Sequence, residues 1–356
     1  MAKVIVGMSG GVDSAVAAYL LKVAGYDVIG VTLRTWVSST GKDSRCCEID
    51  DARRIAWHLD IPYHVISCRT EFREMITDPF IQEYLQGRTP NPCVICNQKI
   101  KWEKMMEAAG VMQAEYIATG HYASIVSLES GRYTVQKSLY APKDQTYMLY
   151  RLTQEQLRRT ILPLGKLSKD EVRKIAERVG LPVAAKPDSQ EICFVTDGDY
   201  VDYIEQNAEQ EIPGEGFFVD TDGNRLGRHR GIIHYTVGQR KGLGLALGYP
   251  AYVKEIRTDT NEVVIGTEEE LYRSRIYCDQ LNYLSIAGLQ TGERIRANVK
   301  IRYHHAAAPA WITLTEPDLA AVDFDSPVRA AAPGQSAVFY DGQDCVIGGG
   351  VIKNNS

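Results

Sequence analysis

The chain has 356 residues, of which 44% are hydrophobic and 24% charged, and its formal net charge is -5 at pH 7. This length predicts two or three domains, each with its own core, and the composition is typical of soluble globular proteins. The sequence has no apolar stretch long enough to span a bilayer, and the acidic balance excludes a protein that binds polyanions over its whole surface.

The first predicted strand covers residues 4–6, and no signal peptide precedes it. We therefore expect a cytoplasmic protein. In a reducing compartment, its eight cysteines serve as thiols, catalytic groups or ligands rather than as structural disulfides.

A glycine-rich turn, Ser9-Gly10-Gly11-Val12-Asp13-Ser14, joins this strand to a predicted helix over residues 15–24. Glycines at a helix N-terminus let backbone N–H groups approach an anion closely. The turn lacks the lysine of the kinase-type phosphate loop and the spacing of the dinucleotide fingerprint. We interpret it as a phosphate-binding loop in which Asp13 either holds a magnesium ion or caps the helix.

Strands and helices alternate through the first half of the chain. Further strands are predicted at residues 28–33, 63–67 and 116–119, and helices at residues 51–59, 99–109 and 168–179. The last helix opens with the capping box Ser168-Lys169-Asp170-Glu171. The alternation predicts an α/β domain over residues 1–204, with a parallel sheet and ligands at the carboxyl ends of its strands.

From about residue 205 the pattern changes to short strands separated by turns. We predict a small β-rich linking domain over residues 205–272 and a β-barrel over residues 273–356.

Basic and apolar residues alternate over residues 294–304. A single strand would place Arg294, Arg296, Lys300, Arg302 and His304 on one face. Because no acidic residue interrupts this run, the pattern favours a surface that follows an RNA backbone over an ordinary solvated face.

Two cysteine segments stand out. Asn91-Pro92-Cys93-Val94-Ile95-Cys96 places a C-x-x-C before a helix, where a thiolate is stabilised. Zinc usually needs a second such pair, and Cys46-Cys47 has the wrong spacing. Cys193, between Ile192 and Phe194, is by itself more typical of a core residue than of a nucleophile.

Several segments in order resemble the tRNA-specific 2-thiouridylases, a family of the ATP pyrophosphatase (PP-loop) superfamily. They are residues 7–14, 89–93, 120–122, 143–145, 189–194, 235–242, 300–303 and 333–335. The resemblance implies an N-terminal PP-loop domain of the adenine nucleotide alpha hydrolase type, a small β-rich central domain and a C-terminal β-barrel. It also implies 2-thiolation of the wobble uridine of tRNA. In the reaction that the resemblance implies, ATP adenylates the uridine C2 oxygen, and a cysteine persulfide supplies the sulfur.

The same resemblance assigns roles to particular residues. It implies Cys96 as nucleophile, Cys193 as persulfide carrier and disulfide partner of Cys96, and catalytic roles for His121 and Gln335. The ATP-binding residues it implies are Gly7, Met8, Ser9, Gly10, Gly11, Val12, Asp13, Ser14, Leu33 and Gly120. The residues that it implies for tRNA and its target base are Asn91, Pro92, Cys93, Lys143, Asp144, Gln145, Arg302 and Tyr303.

The expected cofactors are ATP and Mg²⁺. The expected partners are the tRNA anticodon stem-loop and a persulfide sulfur carrier or cysteine desulfurase. We expect the protein itself to be a monomer with no membrane attachment. Cys93 stands where some family members carry Asp. Cys93, Cys96 and Cys193 could therefore instead hold an iron–sulfur cluster, although such clusters usually take four cysteines. A PP-loop ligase for a small molecule and a non-catalytic RNA-binding protein are the competing functions.

Overall fold

The structure is a computed structural model that describes residues 1–36, 48–187, 192–195 and 199–354. Cys46, Cys47 and the Ser189-Gln190-Glu191 part of the segment around Cys193 lie outside the described residues. The described chain is an α/β domain followed by a small β-rich domain and a closed β-barrel, which confirms the predicted fold class.

The first domain is built on a parallel sheet. Its strands are β1 Lys3–Gly7, β2 Asp27–Arg34, β3 Tyr63–Ser67, β4 Tyr116–Ala118, β5 Ala123–Ser127, β6 Tyr133–Lys137 and β7 Thr160–Ile161. Five of them pair in the order β3-β2-β1-β4-β7, and β5 and β6 form a separate antiparallel hairpin. Both faces of the sheet are covered, because Val4 and Val6 pack into one hydrophobic cluster and Ile5 into another.

Helices flank this sheet. They are α1 Val12–Val23, α2 Ile49–His58, α3 Arg69–Phe72, α4 Asp78–Leu85, α5 Pro92–Ile95, α6 Glu103–Val111, α7 Gln154–Arg158, α8 Lys169–Arg178 and α9 Tyr200–Asn207. The capping box of α8 is confirmed, because the Glu171 N–H donates to Ser168 Oγ at 3.2 Å and the Ser168 N–H donates to the Glu171 carboxylate at 2.7 Å. Shorter turns of 3₁₀-helix lie at Ala141–Lys143, Thr146–Met148, Ile232–His234 and Glu269–Leu271.

The helix predicted over residues 99–109 differs in kind from the observed one. The chain forms a π-helix over Cys96–Trp102 and continues as α6; a second π-helix, Arg73–Thr77, joins α3 to α4. Apolar spacing over so few residues does not distinguish the wider π turn from an α turn.

The second half is β-rich. The small domain contains β8 Gly216–Val219, β9 Arg225–His229, β10 Tyr252–Arg257 and β11 Glu262–Gly266 in the order β10-β11-β8-β9. The barrel contains β12 Tyr272–Tyr283, β13 Arg294–Lys300, β14 Ala308–Glu316, β15 Leu319–Arg329, β16 Ser336–Tyr340 and β17 Val346–Ile352. Leu284 and Tyr340 of the barrel region share a hydrophobic cluster with Ile5 and Tyr147, so the barrel packs against the first domain.

The basic strand is shorter than predicted. Alternation holds along β13, where Arg294 and Arg296 are exposed and Val299 is buried, but the strand ends at Lys300. The last pair with β14 is Val299 with Ala308, so residues 301–307 form the connecting turn and contain Arg302, Tyr303 and His304. The prediction of one continuous basic face is therefore wrong beyond Lys300.

Neighbouring strands also supply the acids that the run itself lacks. Asp325 of β15 forms a bidentate ion pair with Arg296. The guanidinium carbon of Arg294 lies over the Trp311 ring, 4.6 Å from the ring centroid. The face of the barrel around β13 is therefore a mixture of paired charges and aromatic surface rather than a purely basic strip.

Candidate active site

A cavity of about 340 Å³ lies at the carboxyl edge of the parallel sheet. The chain runs from β1 to β2 and β3 on one side and returns to β4 on the other side of β1, so this edge is a topological switch point. Nine of the ten predicted ATP-binding residues line the cavity: Gly7, Met8, Ser9, Gly11, Val12, Asp13, Ser14, Leu33 and Gly120. Cys96, His121, Lys143 and Gln145 line it as well, so these residues bring five separate segments together there.

The loop before α1 has the geometry of an anion site. Gly10 adopts φ +80°, and a side chain there would meet the Glu48 carbonyl oxygen at 2.6 Å, so glycine is required. Ser14 Oγ donates to the Gly11 carbonyl at 3.0 Å and accepts from the Ser9 N–H at 3.2 Å. Gly11 at the N-cap has no side chain with which to cap the first turn of the helix, which leaves its N–H end suited to a phosphate.

Asp13 is neither a helix cap nor an open metal ligand. Both of its carboxylate oxygens lie 2.8 Å from Lys169 Nζ, and the Tyr122 hydroxyl donates to one of them at 2.7 Å. The cap prediction is therefore wrong, and a carboxylate neutralised in this way does not fit a direct Mg²⁺ ligand. Asp13 instead ties the phosphate loop to α8 and to the segment after β4.

Sequence reasoning missed Lys169 and Lys186, which both lie beside the loop. The Lys169 side chain is only 8% exposed at the first position of α8, where the helix dipole disfavours a cation. A lysine at the first position of a helix is the sequence feature that indicates a nearby carboxylate. Lys186 lines the cavity and is held by Glu48 and by Asp51, the latter at 2.6 Å.

His121 is placed as a neutral ring. Its Nδ1 lies 2.7 Å from Thr119 Oγ1, and its ring packs against Trp102 with centroids 5.4 Å apart. Burial lowers the pKa of His121 well below its ordinary 6.5, and the charge of nearby Lys101 lowers it further. The imidazole is therefore uncharged near pH 7 and suits hydrogen bonding rather than ionic binding of a phosphate.

Cys96 and Cys193 lie in one hydrophobic cluster around Phe80 and Phe194, although 97 positions separate them in the sequence. Cys96 is 7% exposed at the first residue of the π-helix and lines the cavity, whereas Cys193 is partly buried and packs against the same cluster. The structure records both as thiols.

Three further cysteines, Cys68, Cys278 and Cys345, are core residues. Cys68 and Cys278 are fully buried and Cys345 is 3% exposed. Burial raises the pKa of Cys345 to about 11, with Asp341 and Asp344 adding to the effect, and raises that of Cys278 further. Such thiols are poor nucleophiles at neutral pH.

The described residues also offer no cluster of side chains that could bind a metal ion. In residues 1–36, 48–187, 192–195 and 199–354, no three His, Cys, Asp or Glu side chains are grouped closely enough to hold a metal ion.

The barrel holds the loop that precedes Cys96. Gln335 Nε2 donates to the Thr89 carbonyl at 2.7 Å and to the Pro90 carbonyl at 3.3 Å, and the Thr89 N–H donates to the Pro333 carbonyl at 2.8 Å. Asn91 then caps α5 by accepting from the Cys93 N–H at 3.2 Å. Gln335, predicted as catalytic, is therefore placed as a residue that positions this loop.

The segment over residues 143–145 contributes to the wall of the cavity. Lys143 and Gln145 line it, and Gln145 Oε1 accepts from the Tyr122 N–H at 2.9 Å. Asp144 is 7% exposed, and its carboxylate accepts from the Ser138 N–H at 3.1 Å and the Thr146 hydroxyl at 2.8 Å. Asp144 thus stabilises the turn over residues 143–145 through buried hydrogen bonds.

The turn after β13 reaches the same region. Burial raises the pKa of Tyr303, and Asp144 and Cys93 are near enough to add to this effect. Arg302 donates to the Ala330 carbonyl, and burial and neighbouring Arg329 lower its pKa. Of these two predicted residues, Tyr303 is the one placed beside the Cys93 loop.

No helix in the described part of the chain has the length and apolar character needed to cross a membrane.

Family models and known proteins match the whole chain. A tRNA methyl transferase HUP domain model matches residues 2–197, a tRNA methyl transferase PRC-barrel domain model residues 201–267, and an aminomethyltransferase beta-barrel domain model residues 273–352. A tRNA-specific 2-thiouridylase MnmA of Lachnoclostridium phytofermentans is 53% identical, covering 99% of both chains, and that of Clostridioides difficile is 48% identical, covering 99% of this chain and 98% of its own. Among solved structures, a U34-tRNA thiolase NcsA from Methanococcus maripaludis with its [4Fe-4S] cluster is 20% identical, with a TM-score of 0.36, covering 58% of this chain and 63% of that one.

Proposed function

Because this chain belongs to the tRNA-specific 2-thiouridylase family, we propose that it is a tRNA uridine 2-sulfurtransferase that thiolates the wobble uridine, position 34, at the expense of ATP. The observation that carries the proposal is the shared cavity. An anion-binding loop, a neutral histidine and Cys96 line one space, and the Asn91–Cys93 loop leads directly into the helix that carries Cys96.

The first step activates an oxygen that is a poor leaving group. The uridine O2 attacks the α-phosphorus of ATP, a bond from O2 to phosphorus forms, and the bond to the β-phosphate breaks with its electron pair leaving on pyrophosphate. The loop over residues 9–14 binds the departing pyrophosphate, and Leu33 contacts the adenine through its backbone. Neutral His121 orients the phosphate by a hydrogen bond.

The second step replaces this oxygen by sulfur. In one route, the terminal sulfur of a Cys193 persulfide attacks C2, and the C2–O bond breaks with its electron pair leaving on AMP. Cys96 then attacks the Cys193 sulfur, which forms a Cys96–Cys193 disulfide and leaves the sulfur on C2. In the other route, Cys96 attacks the persulfide first and the released sulfide attacks C2. Both routes end in the same disulfide, which a thiol reductant returns to the dithiol.

The target base enters beside the Cys93 loop. Asn91, Pro92 and Cys93 meet the base flipped out of the anticodon loop, where single-stranded bases are the most accessible to a protein. Lys143 and Gln145 of the cavity wall and Tyr303 from the barrel contact the adjacent tRNA, while Asp144 and Arg302 hold these segments in place. A persulfide carrier protein or cysteine desulfurase loads Cys193, and the enzyme acts as a cytoplasmic monomer.

The proposal is tested by incubating the full chain with ATP, Mg²⁺, a sulfide source and an unmodified tRNA with uridine at position 34. We expect 2-thiouridine with one AMP for each uridine converted. Failure to form either product would overturn the assignment, and AMP release that does not depend on tRNA would favour a ligase for a small molecule.

A Gln335→Ala variant tests the role of the barrel in the reaction. The two hydrogen bonds from this side chain are worth roughly 0.5–1.5 kcal/mol each, so their loss is expected to slow thiolation about 10-fold or more by loosening the Cys93 loop. ATP affinity, measured by calorimetry, should stay unchanged. Gln343→Ala, an exposed glutamine on the same barrel, is the control; equal rates for both variants would refute the positioning role.

A further inference from the structure

The helix that begins at Cys96 is a π-helix of seven residues, Cys96–Trp102. π turns are rare, usually single, and frequently found at functional sites, where they re-aim side chains. This one begins at the proposed nucleophile and contributes to the cavity where ATP is expected.

The π turn changes which residues share a face. In an α-helix, residues five apart point about 140° away from each other, so Lys101 and Cys96 would face different surroundings. The i to i+5 hydrogen bonding of a π-helix brings residue 101 back to the side of residue 96. Cys96 and Lys101 accordingly both line the cavity, whereas Lys99 of the same helix pairs with Glu103 outside it.

Lys101 also lies beside the nucleotide end of the cavity. Its charge acts on the His121 ring, and the adjacent Gly120 is packed so tightly against the phosphate loop that a side chain there would meet the Asp13 and Ser14 backbone at 2.7 Å. Lys101 therefore lines the same cavity as the phosphate loop, His121 and Cys96. In the proposed reaction, the α-phosphate lies in this cavity, because it is bonded first to pyrophosphate and later to the uridine oxygen.

Several cations surround the loop. Lys169 pairs with both oxygens of Asp13, Lys186 pairs with Glu48 and Asp51, and Lys143 lines the cavity. Lys101 differs from these in that it belongs to the helix that carries Cys96. His121 is neutral near pH 7 because burial lowers its pKa. The charge that develops on the α-phosphate during transfer still needs a positive group close to it.

We propose that Lys101 is a catalytic residue whose ammonium group binds a non-bridging oxygen of the α-phosphate, first in ATP and then in the adenylated uridine. The assignment rests on the proposed function, since it presumes attack at that phosphorus. The π-helix is the device that places the cation and the nucleophile in one cavity.

The test compares Lys101→Met, which keeps the length of the side chain without its charge, with Lys101→Arg and wild type. Single-turnover release of pyrophosphate with unmodified tRNA is expected to fall about 100-fold or more in Lys101→Met and less than about 10-fold in Lys101→Arg, in line with the loss of one transition-state donor. Lys99→Met, in the same π-helix, is the matched control and should react at the wild-type rate.

A second readout separates direct contact from a structural role. ATP with one α-oxygen replaced by sulfur exists as two diastereomers. The wild type should discriminate between them more strongly than Lys101→Met, because the variant no longer distinguishes the two non-bridging positions. Unchanged adenylation in Lys101→Met, or unchanged discrimination in a variant that melts like wild type, would overturn the inference. Wild-type protein that releases no pyrophosphate with tRNA would instead overturn the proposed function.

Discussion

Replacing Cys193 or Cys96 by serine is expected to reduce 2-thiouridine formation at least about 1,000-fold while single-turnover adenylation of the tRNA continues. A hydroxyl cannot carry a persulfide at position 193 and cannot act as the thiolate that resolves it at position 96. Neither substitution touches the loop over residues 9–14, so ATP and tRNA affinities should stay near wild type. The measurement is pyrophosphate release and nucleoside composition of the same tRNA sample.

The two variants should also differ from each other. Cys193→Ser should accept no labelled sulfur from a persulfide donor, whereas Cys96→Ser should become labelled and retain the label. Cys345→Ser is the control, because that thiol is buried in the barrel region, where it donates to the Gln343 carbonyl at 3.9 Å. Thiolation by both active-site variants at the rate of Cys345→Ser would rule out sulfur transfer through these cysteines.

Gly120→Ala is expected to weaken ATP binding about 10- to 100-fold. An alanine Cβ at this position would lie 2.7 Å from both the Asp13 carbonyl carbon and the Ser14 nitrogen, closer than real side chains approach backbone. Neither neighbour is a flexible side chain, so the phosphate loop and the segment after β4 must separate. Overpacking of this kind costs roughly 1–3 kcal/mol. ATP binding weakens because the displaced segment is the loop that holds pyrophosphate.

The matched control is Gly110→Ala in α6, where, among the described residues, the added Cβ meets no atom within 4 Å beyond its chain neighbours and its own helix backbone. Alanine is the better helix former, so this variant should be at least as stable as wild type and bind ATP equally well. Calorimetric titration with a non-hydrolysable ATP analogue measures the ATP affinity of both variants. Equal ATP affinity for Gly120→Ala and Gly110→Ala would show that the loop does not depend on this close packing.

The alternation of strands and helices made the fold class predictable, because each element carries its own local pattern. The phosphate loop was readable for the same reason, since its glycines, hydroxyls and helix start are consecutive. What the sequence could not reveal are contacts between distant segments. Gln335 reaches Thr89 across 246 positions, and Lys169 reaches Asp13 across 156. No local spacing encodes either one.

Two further features needed the structure for different reasons. Lys101 shares a cavity with Cys96 because the helix is wider than an α-helix, whereas α-helical spacing would place it on another face. The basic run after residue 294 appeared continuous because a strand period fits it, but pairing with β14 ends at Val299 and the chain turns away. In both places, tertiary packing overrides the local period.

The central claim is that ATP activates the uridine oxygen itself, and an oxygen label tests it directly. An anticodon stem-loop carrying ¹⁸O at C2 of uridine 34 is thiolated by the full chain with ATP and a persulfide donor, and the AMP is analysed by mass spectrometry. The account predicts one ¹⁸O atom in the AMP for each 2-thiouridine formed. Unlabelled AMP, with the ¹⁸O recovered in water or pyrophosphate, would contradict it.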